Sequence, residues 1–260
     1  MGPSTTALLS FEDQFTKAQR GQGLFPGTSI EMCQIRWRSW GVLADCIEIA
    51  QDAKDPESTC RPYIMDDKTD AIADVPATEP PLSSITAHLS DLDMDEDVWE
   101  EEHLEHADDD DLSVRLAELP PDEYGRPWTR LVQCCYEQRP AKGPTLTVAP
   151  SSKPYVTIGD YINQVHPWLQ TLKSRVFVAK NRLNGRPLPA DTTFGVAVFN
   201  LAHLGLYEEV SRVGPDFLKL RKATAEYLRM RESGEPRPRL PFFPSKGVRV
   251  QGGGQKTRTT

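Results

Sequence analysis

Charge is segregated along this chain of 260 residues, and that segregation limits what the chain can fold into. Residues 66–123 contain 21 Asp and Glu against two basic residues, Lys68 and Arg115, a local net charge of −19. From residue 139 onward, 20 Lys and Arg stand against eight Asp and Glu, a net charge of +12. Crowded like charges repel one another. The centre is therefore predicted to be disordered, and the C-terminal part to attract anions.

The predicted fold class is mainly α, with a small α+β C-terminal unit and a large disordered acidic central segment. Hydrophobic residues make up only 38% of the chain, and its 22 prolines gather outside the periodic stretches. This composition favours modest cores joined by open chain. The predicted parts are a weakly folded N-terminal segment (1–65), the acidic disordered region (66–123), a short helix and linker (124–153), a small folded α+β unit (154–232) and a disordered basic tail rich in proline and glycine (233–260).

Three stretches carry the secondary-structure predictions. Apolar residues at helical spacing predict helical structure from near Ile158 to Asn184-Gly185, a pair typical of C-caps, with Pro167 either kinking this helix or beginning a second one. Residues 29–51 favour a helix, but apolar and polar residues alternate around Trp37, so a strand pair turning at Gly41 is the competing interpretation. A short helix is predicted to begin at Pro127, because the apolar residues after it recur every three to four positions.

Apolar side chains are scattered among the carboxylates of the central region. Acidic-hydrophobic alternation is typical of disordered docking segments, in which charge keeps the apolar residues accessible to a partner. The competing interpretation is a spacer without a binding role. The predicted partner-binding residues are Leu89, Leu92, Met94, Val98, Trp99 and Leu104.

Four acidic residues in the same run have the spacing of calcium ligands in an EF-hand loop. Glu96 stands where such a loop needs a glycine for its sharp turn, so a solvated run of charge is the favoured interpretation. Neither a metal nor a cofactor is predicted for the chain. The EF-hand-like candidates are Asp91, Asp93, Asp95 and Glu102.

A helix predicted after Gly214-Pro215 presents a cationic face. This face is suited to phosphate groups, which makes a nucleic-acid- or histone-associated binder an alternative function, or to the chain's own acidic segment. Its anion-facing residues are Lys219, Arg221, Lys222, Arg229 and Arg231.

The string His166-Pro167-Trp168-Leu169 is the most distinctive local motif. An unperturbed imidazole suits general-base catalysis, but no nucleophile stands at a spacing that would force it beside His166. The favoured interpretation is structural, with His166 ending one helix and starting another and Trp168 as a core anchor. An enzyme with a site around His166 and His203 is the alternative.

Cysteine usage and hydropathy bear on the compartment. The five cysteines are odd in number and widely spaced, apart from the vicinal pair Cys134 and Cys135. They do not suggest a disulfide framework, so an intracellular location, cytoplasmic or nuclear, is expected. The longest nearly apolar run, 194–206, is too short to span a bilayer, and no membrane partner is expected.

Three strings, 157–162, 166–169 and 188–192, together resemble a family of uncharacterised fungal proteins. Members of that family carry a similar "V-x-D-F-V…HPWL…LP-x-x-T" run after a variable acidic region. The resemblance covers roughly residues 156–198 and implies a shared small domain. It carries no assigned activity or site residues.

The function predicted from these features is a non-enzymatic intracellular interaction or regulatory protein. Its acidic-hydrophobic segment would dock a protein partner, or would shield the basic C-terminal module until a competitor displaces it. No catalytic residues are assigned, because none of the motifs forms a recognisable catalytic constellation.

Overall fold

The computed structural model describes residues 7–104, 107, 112–121, 124–208 and 216–233. The helices are α1 (Phe11–Gln19), α2 (Ile30–Cys33), α3 (Leu43–Cys46), α4 (Ser90–Leu104), α5 (Ile158–Leu183) and α6 (Asp216–Ser233), with a 3₁₀ turn at Ala71–Asp74. The strands are β1 (Gly27–Thr28), β2 (Ile35–Trp37), β3 (Ile47–Ala50), β4 (Cys60–Pro62), β5 (Ile64–Met65), β6 (Lys68–Thr69), β7 (Thr78–Glu79), β8 (Ile85–Leu89), β9 (Arg115–Leu119), β10 (Trp128–Cys134), β11 (Glu137–Gln138), β12 (Leu146–Val148), β13 (Phe194–Val196), β14 (His203–Leu204) and β15 (Leu206–Glu208).

The strands form several small sheets. Three sheets have the strand orders β2-β3-β4, β12-β8-β14 and β11-β10-β9, and three are pairs, β1-β7, β5-β6 and β13-β15. The β8-β14 pair is parallel and the β8-β12 pair antiparallel. The predicted mainly α fold class is therefore wrong, and the architecture is mixed α/β. Most of the strands were missed because they are too short to show a clear alternation; β8, for example, buries only Ile85, Ala87 and Leu89.

Helix α5 runs through the centre of the core. It begins with a capping box, in which Thr157 Oγ1 accepts from the Asp160 amide and the Asp160 carboxylate accepts from the Thr157 amide. Its buried face extends to Ala179, and Asn184 is the C-cap, followed by Gly185 at φ +61°. The predicted start and C-cap are confirmed, but the alternative of a second helix beginning at Pro167 is wrong, because α5 is continuous. Pro167 lies inside it.

The N-terminal segment, predicted to be weakly folded, supplies part of the same core. Trp37 of β2 is buried and packs edge-on against Tyr161 of α5, with the ring centroids 6.3 Å apart. Ile47 and Ile49 of β3 are fully buried. The predicted helix over 29–51 is wrong. The alternative interpretation, two antiparallel strands, describes β2 and β3, which pair Trp37 with Ile47.

The acidic centre is ordered wherever the structure describes it, so its predicted disorder is also wrong. Helix α4 carries the densest run of acids, and its inward carboxylates meet cations from later in the chain. Asp91 pairs with Lys180 Nζ at 2.5 Å, and Asp95 with Arg182 Nη1 at 2.5 Å. Both cations belong to α5. Repulsion among the acids is thus offset by partners that lie almost 90 residues away in sequence.

A second group of ion pairs joins the middle of α4 to β10 and to Arg139, which follows β11. Arg139 bonds Glu96 at 3.0 Å and Glu100 at 2.6 Å, and Arg130 also contacts Glu96. The hydrogen bond from Arg139 lowers the pKa of Glu100. Burial, by contrast, raises the pKa of Asp95 despite its bond to Arg182. The free-energy cost of removing these carboxylates from water is therefore comparable to the gain from their ion pairs.

Residues 124–153, predicted as a short helix and linker, contain the hairpin β10-β11 and strand β12. A β-bulge interrupts the pairing of β10 with β9 between Leu131 and Gln133. The extra residue brings Leu131 and Cys134, three positions apart, into one buried cluster with Trp99. Spacing by three imitates a helix, which is why the sequence pattern was misleading.

The basic C-terminal region is described only in part. Helix α6 begins at Asp216, after the predicted break at Gly214-Pro215, and ends at Ser233. The tail predicted to be disordered, from residue 234 onward, lies outside the described residues. Among the described helices, none has the length and apolar character needed to cross a membrane.

We expect Lys180→Met to lower the free energy of unfolding by about 3 kcal/mol, because it leaves the desolvated Asp91 carboxylate without its cation. Adding Asp91→Asn should recover part of that loss, since the uncompensated charge is removed. Urea denaturation of both single variants and the double variant measures the coupling. Lys153→Met, at an exposed lysine, is the control. Strictly additive losses would contradict the pairing.

Asp160 gives a pH-dependent prediction. Burial alone would raise its pKa, but hydrogen bonds from Ser151 and Thr157 outweigh burial and lower it. A lowered folded-state pKa stabilises the protein above the unfolded value, about 3.9, and this contribution is lost as pH falls through the folded value. The cost of Asp160→Asn should therefore be constant above about pH 5 and shrink below about pH 4. Urea denaturation between pH 3 and 7 checks this, and a cost that does not change with pH would contradict it.

Candidate functional site

His166 is a structural residue in this fold. It is buried, and its Nδ1 accepts a hydrogen bond from Trp37 Nε1 at 3.2 Å. An indole nitrogen can only donate, so the proton of the neutral imidazole lies on Nε2, which donates to the Gly41 carbonyl at 2.9 Å. Both ring nitrogens are thereby occupied. His166 has no nitrogen left with which to act as a general base.

The same stretch of α5 holds the segment 37–41 through further bonds. Trp40 Nε1 donates to the Leu169 carbonyl at 3.2 Å. The Gln170 side-chain amide donates to the Ser39 carbonyl at 2.9 Å and accepts from the Gly41 amide at 3.5 Å. The HPWL string therefore fixes a loop from the N-terminal part of the chain onto the central helix. A structural role for the string agrees with this arrangement, but the helix boundary expected at His166 is wrong, because α5 continues through Pro167, and Trp168 is only half-buried.

His203 lies in a different environment. It belongs to β14 and stacks on His88 of β8, with the ring centroids 5.4 Å apart. Desolvation and the neighbouring His88 lower its pKa, and Asp93 partly offsets them. His88 and Asp93 are not among the hydrogen-bond partners of His166 described above. The structure therefore does not assemble the alternative catalytic site from the two histidines.

The four EF-hand-like candidates all lie on helix α4. Asp91 and Asp95 pair with α5 cations, and Asp91 also accepts from the Leu206 amide at 2.9 Å. Asp93 is half-buried and Glu102 is exposed. An EF-hand needs a loop that wraps its oxygens around the ion, and a helix spreads these positions over several faces. In the described part of the chain, no group of three metal-ligating side chains comes together.

The six apolar residues predicted to bind a partner point largely into the protein. Leu89, Leu92 and Trp99 are buried, whereas Met94, Val98 and Leu104 are half-buried. Leu89 and Leu92 belong to the main core cluster. A partner could reach the three buried residues only by opening the fold. The docking surface predicted from acidic-hydrophobic alternation is therefore not presented at the surface.

The predicted cationic face of α6 is partly engaged within the chain. Arg221 donates to the Pro56 carbonyl at 3.3 Å, and Arg229 pairs with Glu226 at 3.0 Å. Lys222 is exposed, and the side chains of Lys219 and Arg231 lie outside the described residues. The side of α6 containing Tyr227 and Leu228 packs on Cys33 and Ala53. The described cations do not form a continuous anion-binding surface.

A surface that sequence reasoning missed surrounds the β9-β10 sheet. One side of this sheet packs on Trp99 through Leu131 and Cys134. Large apolar side chains elsewhere around the sheet are exposed: Leu112, Leu116, Tyr124, Trp128 and Tyr136. We call these five residues, which lie on both faces of the sheet and in its flanking loops, the exposed sheet surface.

The outer edge of this sheet is a second feature of the surface. Among the described residues, β9 pairs only with β10, so its other edge presents backbone donors and acceptors. Trp128 is 51% exposed and Leu116 is 46% exposed. The Trp128 indole is oriented by a 2.8 Å hydrogen bond to the Pro120 carbonyl. An exposed edge beside fixed aromatic side chains is an arrangement that can accept an extended peptide.

Comparison with protein-family models, with curated proteins and with solved structures gives no match for this chain. The resemblance to the fungal family therefore stays a prediction. Function must be argued from the geometry alone.

We expect His166→Ala to lower the free energy of unfolding by about 2–4 kcal/mol, because it leaves the buried indole N–H of Trp37 without an acceptor and opens a cavity. His203→Ala is the matched control, and its exposed ring should cost less than about 1 kcal/mol. Urea denaturation measures both. Equal losses for the two variants would contradict the structural role of His166.

Proposed function

We propose that this chain is a non-enzymatic binding protein that receives an extended, basic peptide along β9. The observation that carries the proposal is the outer edge of β9, which pairs with no other described strand, together with the exposed Trp128 opposite Leu119 on the neighbouring strand β10. This keeps the class predicted from sequence, an interaction protein, but moves the binding surface. The proposed binding surface is the exposed sheet surface, in place of the apolar residues of α4 predicted from the sequence.

An extended peptide suits the edge because it can continue the ladder of backbone hydrogen bonds. Trp and Tyr add large contact areas at a small entropic cost, and tryptophan is enriched among the residues that dominate binding energy. Both residue types are present in the exposed sheet surface. The proposed affinity therefore comes from main-chain bonds, and the anchoring from Trp128.

The charge of the surrounding chain favours a basic occupant. Residues 107–137 contain eight acidic residues and three arginines, a net charge of −5. Arg130 and Glu137 already have partners within the fold, and Glu118 on β9 is exposed. Opposite charge on the peptide would speed association and select against acidic sequences.

The cysteines support a reducing compartment for this activity. All five belong to the described residues, and all are thiols with no disulfide between them. Structural disulfides are common in secreted domains and rare in the cytosol and nucleus. We therefore keep cytoplasm or nucleus as the proposed location.

A fluorescently labelled heptapeptide that alternates lysine and valine is the probe for the edge. We expect saturable binding by the full chain, measured by fluorescence anisotropy, and at least about tenfold weaker binding after Trp128→Ala. Val178→Ala is the matched control, because Val178 is 58% exposed on α5, away from the sheet. Glu118→Lys should also weaken binding, since it reverses a charge beside the peptide.

Two comparison peptides separate this mode from non-specific attraction. A heptapeptide alternating glutamate and valine should bind far more weakly, and so should the lysine peptide with a central proline, which cannot complete the ladder. Equal binding of the proline peptide, or no effect of Trp128→Ala in a variant whose circular dichroism is unchanged, would refute the proposal.

A further inference from the structure

A small cleft lies where the segment 37–41 meets α5 and the loop 190–193. Its volume is about 90 Å³, and it is partly open to solvent. That volume corresponds to roughly three waters at liquid density, the size class of a tetrahedral oxyanion. The cleft is separate from the exposed sheet surface, with which it shares no residue.

Positive charge dominates the lining of the cleft. Arg38 and Lys173 contribute cations and Asp191 contributes one carboxylate, so the formal charge is +1. Lys173 Nζ lies 5.7 Å from the Trp40 ring centroid and 6.0 Å from that of Phe177. These aromatic faces hold the ammonium at the wall of the cleft.

Hydroxyl groups complete the lining. Ser39 and Thr192 both line the cleft. Ser39 is 1% exposed, and its Oγ has no hydrogen-bond partner among the described residues. A buried hydroxyl without a partner is costly in a folded protein, and a ligand that accepts a hydrogen bond would remove that cost.

The cleft is held in place before any ligand arrives. The bonds from His166, Leu169 and Gln170 fix the backbone on both sides of Ser39. The Ser39 amide itself donates to the Phe194 carbonyl at 2.9 Å. A fixed arrangement of donors avoids an ordering cost on binding, which favours affinity for a small ligand.

The geometry points to a binding site for a phosphate group, with Arg38 and Lys173 neutralising its charge, the Thr192 hydroxyl donating to its oxygens, and the buried Ser39 hydroxyl turning toward them when the phosphate binds. Arginine and lysine are the usual phosphate-binding cations in proteins. The open side leaves room for a substituent, so the phosphate is either free or the terminal group of a small phosphomonoester.

Calorimetric titration of the full chain at fixed ionic strength tests the site, with inorganic phosphate, methyl phosphate and acetate as probes. We expect saturable binding of phosphate, weakened at least about tenfold by Arg38→Gln or by Lys173→Gln. Both side chains are exposed, so the fold should be retained. Lys153→Gln removes the same charge outside the cleft and is the matched control.

Ser39→Ala separates a ligand-binding hydroxyl from a structural one. It should weaken phosphate binding without lowering the free energy of unfolding, because the hydroxyl has no described partner to lose. Tighter binding of methyl phosphate would identify a phosphomonoester as the source, and tighter binding of inorganic phosphate would identify the free ion. Absence of saturable phosphate binding, equal binding of acetate, or an equal loss in Lys153→Gln would overturn the assignment.

Discussion

The structure depends on matching the buried carboxylates of α4 with cations from later in the chain. Lys180 and Arg182 form ion pairs with Asp91 and Asp95, and Arg139 forms an ion pair with Glu96, the residue after Asp95. If those cations were absent, the acids would remain in water and α4 could not pack. Packing of α4 against α5 and β10 in turn buries Leu92 and Trp99. Charge pairing is therefore a condition for burying apolar surface here.

A second, smaller network joins the first fifth of the chain to the same central helix. Trp37 and Gly41 bond the two ring nitrogens of His166, and Gln170 holds the Ser39 backbone. The network uses polar groups where an apolar contact would leave the indole N–H and several carbonyls unsatisfied. It also shapes the cleft between Trp40 and Lys173. The same residues therefore stabilise the fold and form the proposed phosphate site.

Features set by interactions between residues close in sequence were predictable, whereas features set by contacts between distant residues were not. The start and the Asn184-Gly185 end of helix α5 were predicted correctly because periodicity and capping residues are local signals, whereas its continuity through Pro167 was not predicted. Strand β10 was mistaken for a helix because a bulge places Leu131 and Cys134 on one side of the sheet. The exposed sheet surface was missed because exposure of Trp128 depends on what packs around it. No local pattern distinguishes an exposed tryptophan from a buried one.

The sequence by itself determined the charge segregation, the central helix with its caps and the absence of any recognisable catalytic motif. Only the tertiary structure decided that the segregated charges attract one another across the fold. Repulsion within 66–123 can be inferred from the local sequence, but pairing needs the distant cations of α5 and of the β10-β11 hairpin region. Coulomb energy depends on distance in space and on local dielectric, and a linear sequence specifies neither. The same reason applies to His166, whose role follows from the two residues that reach its ring.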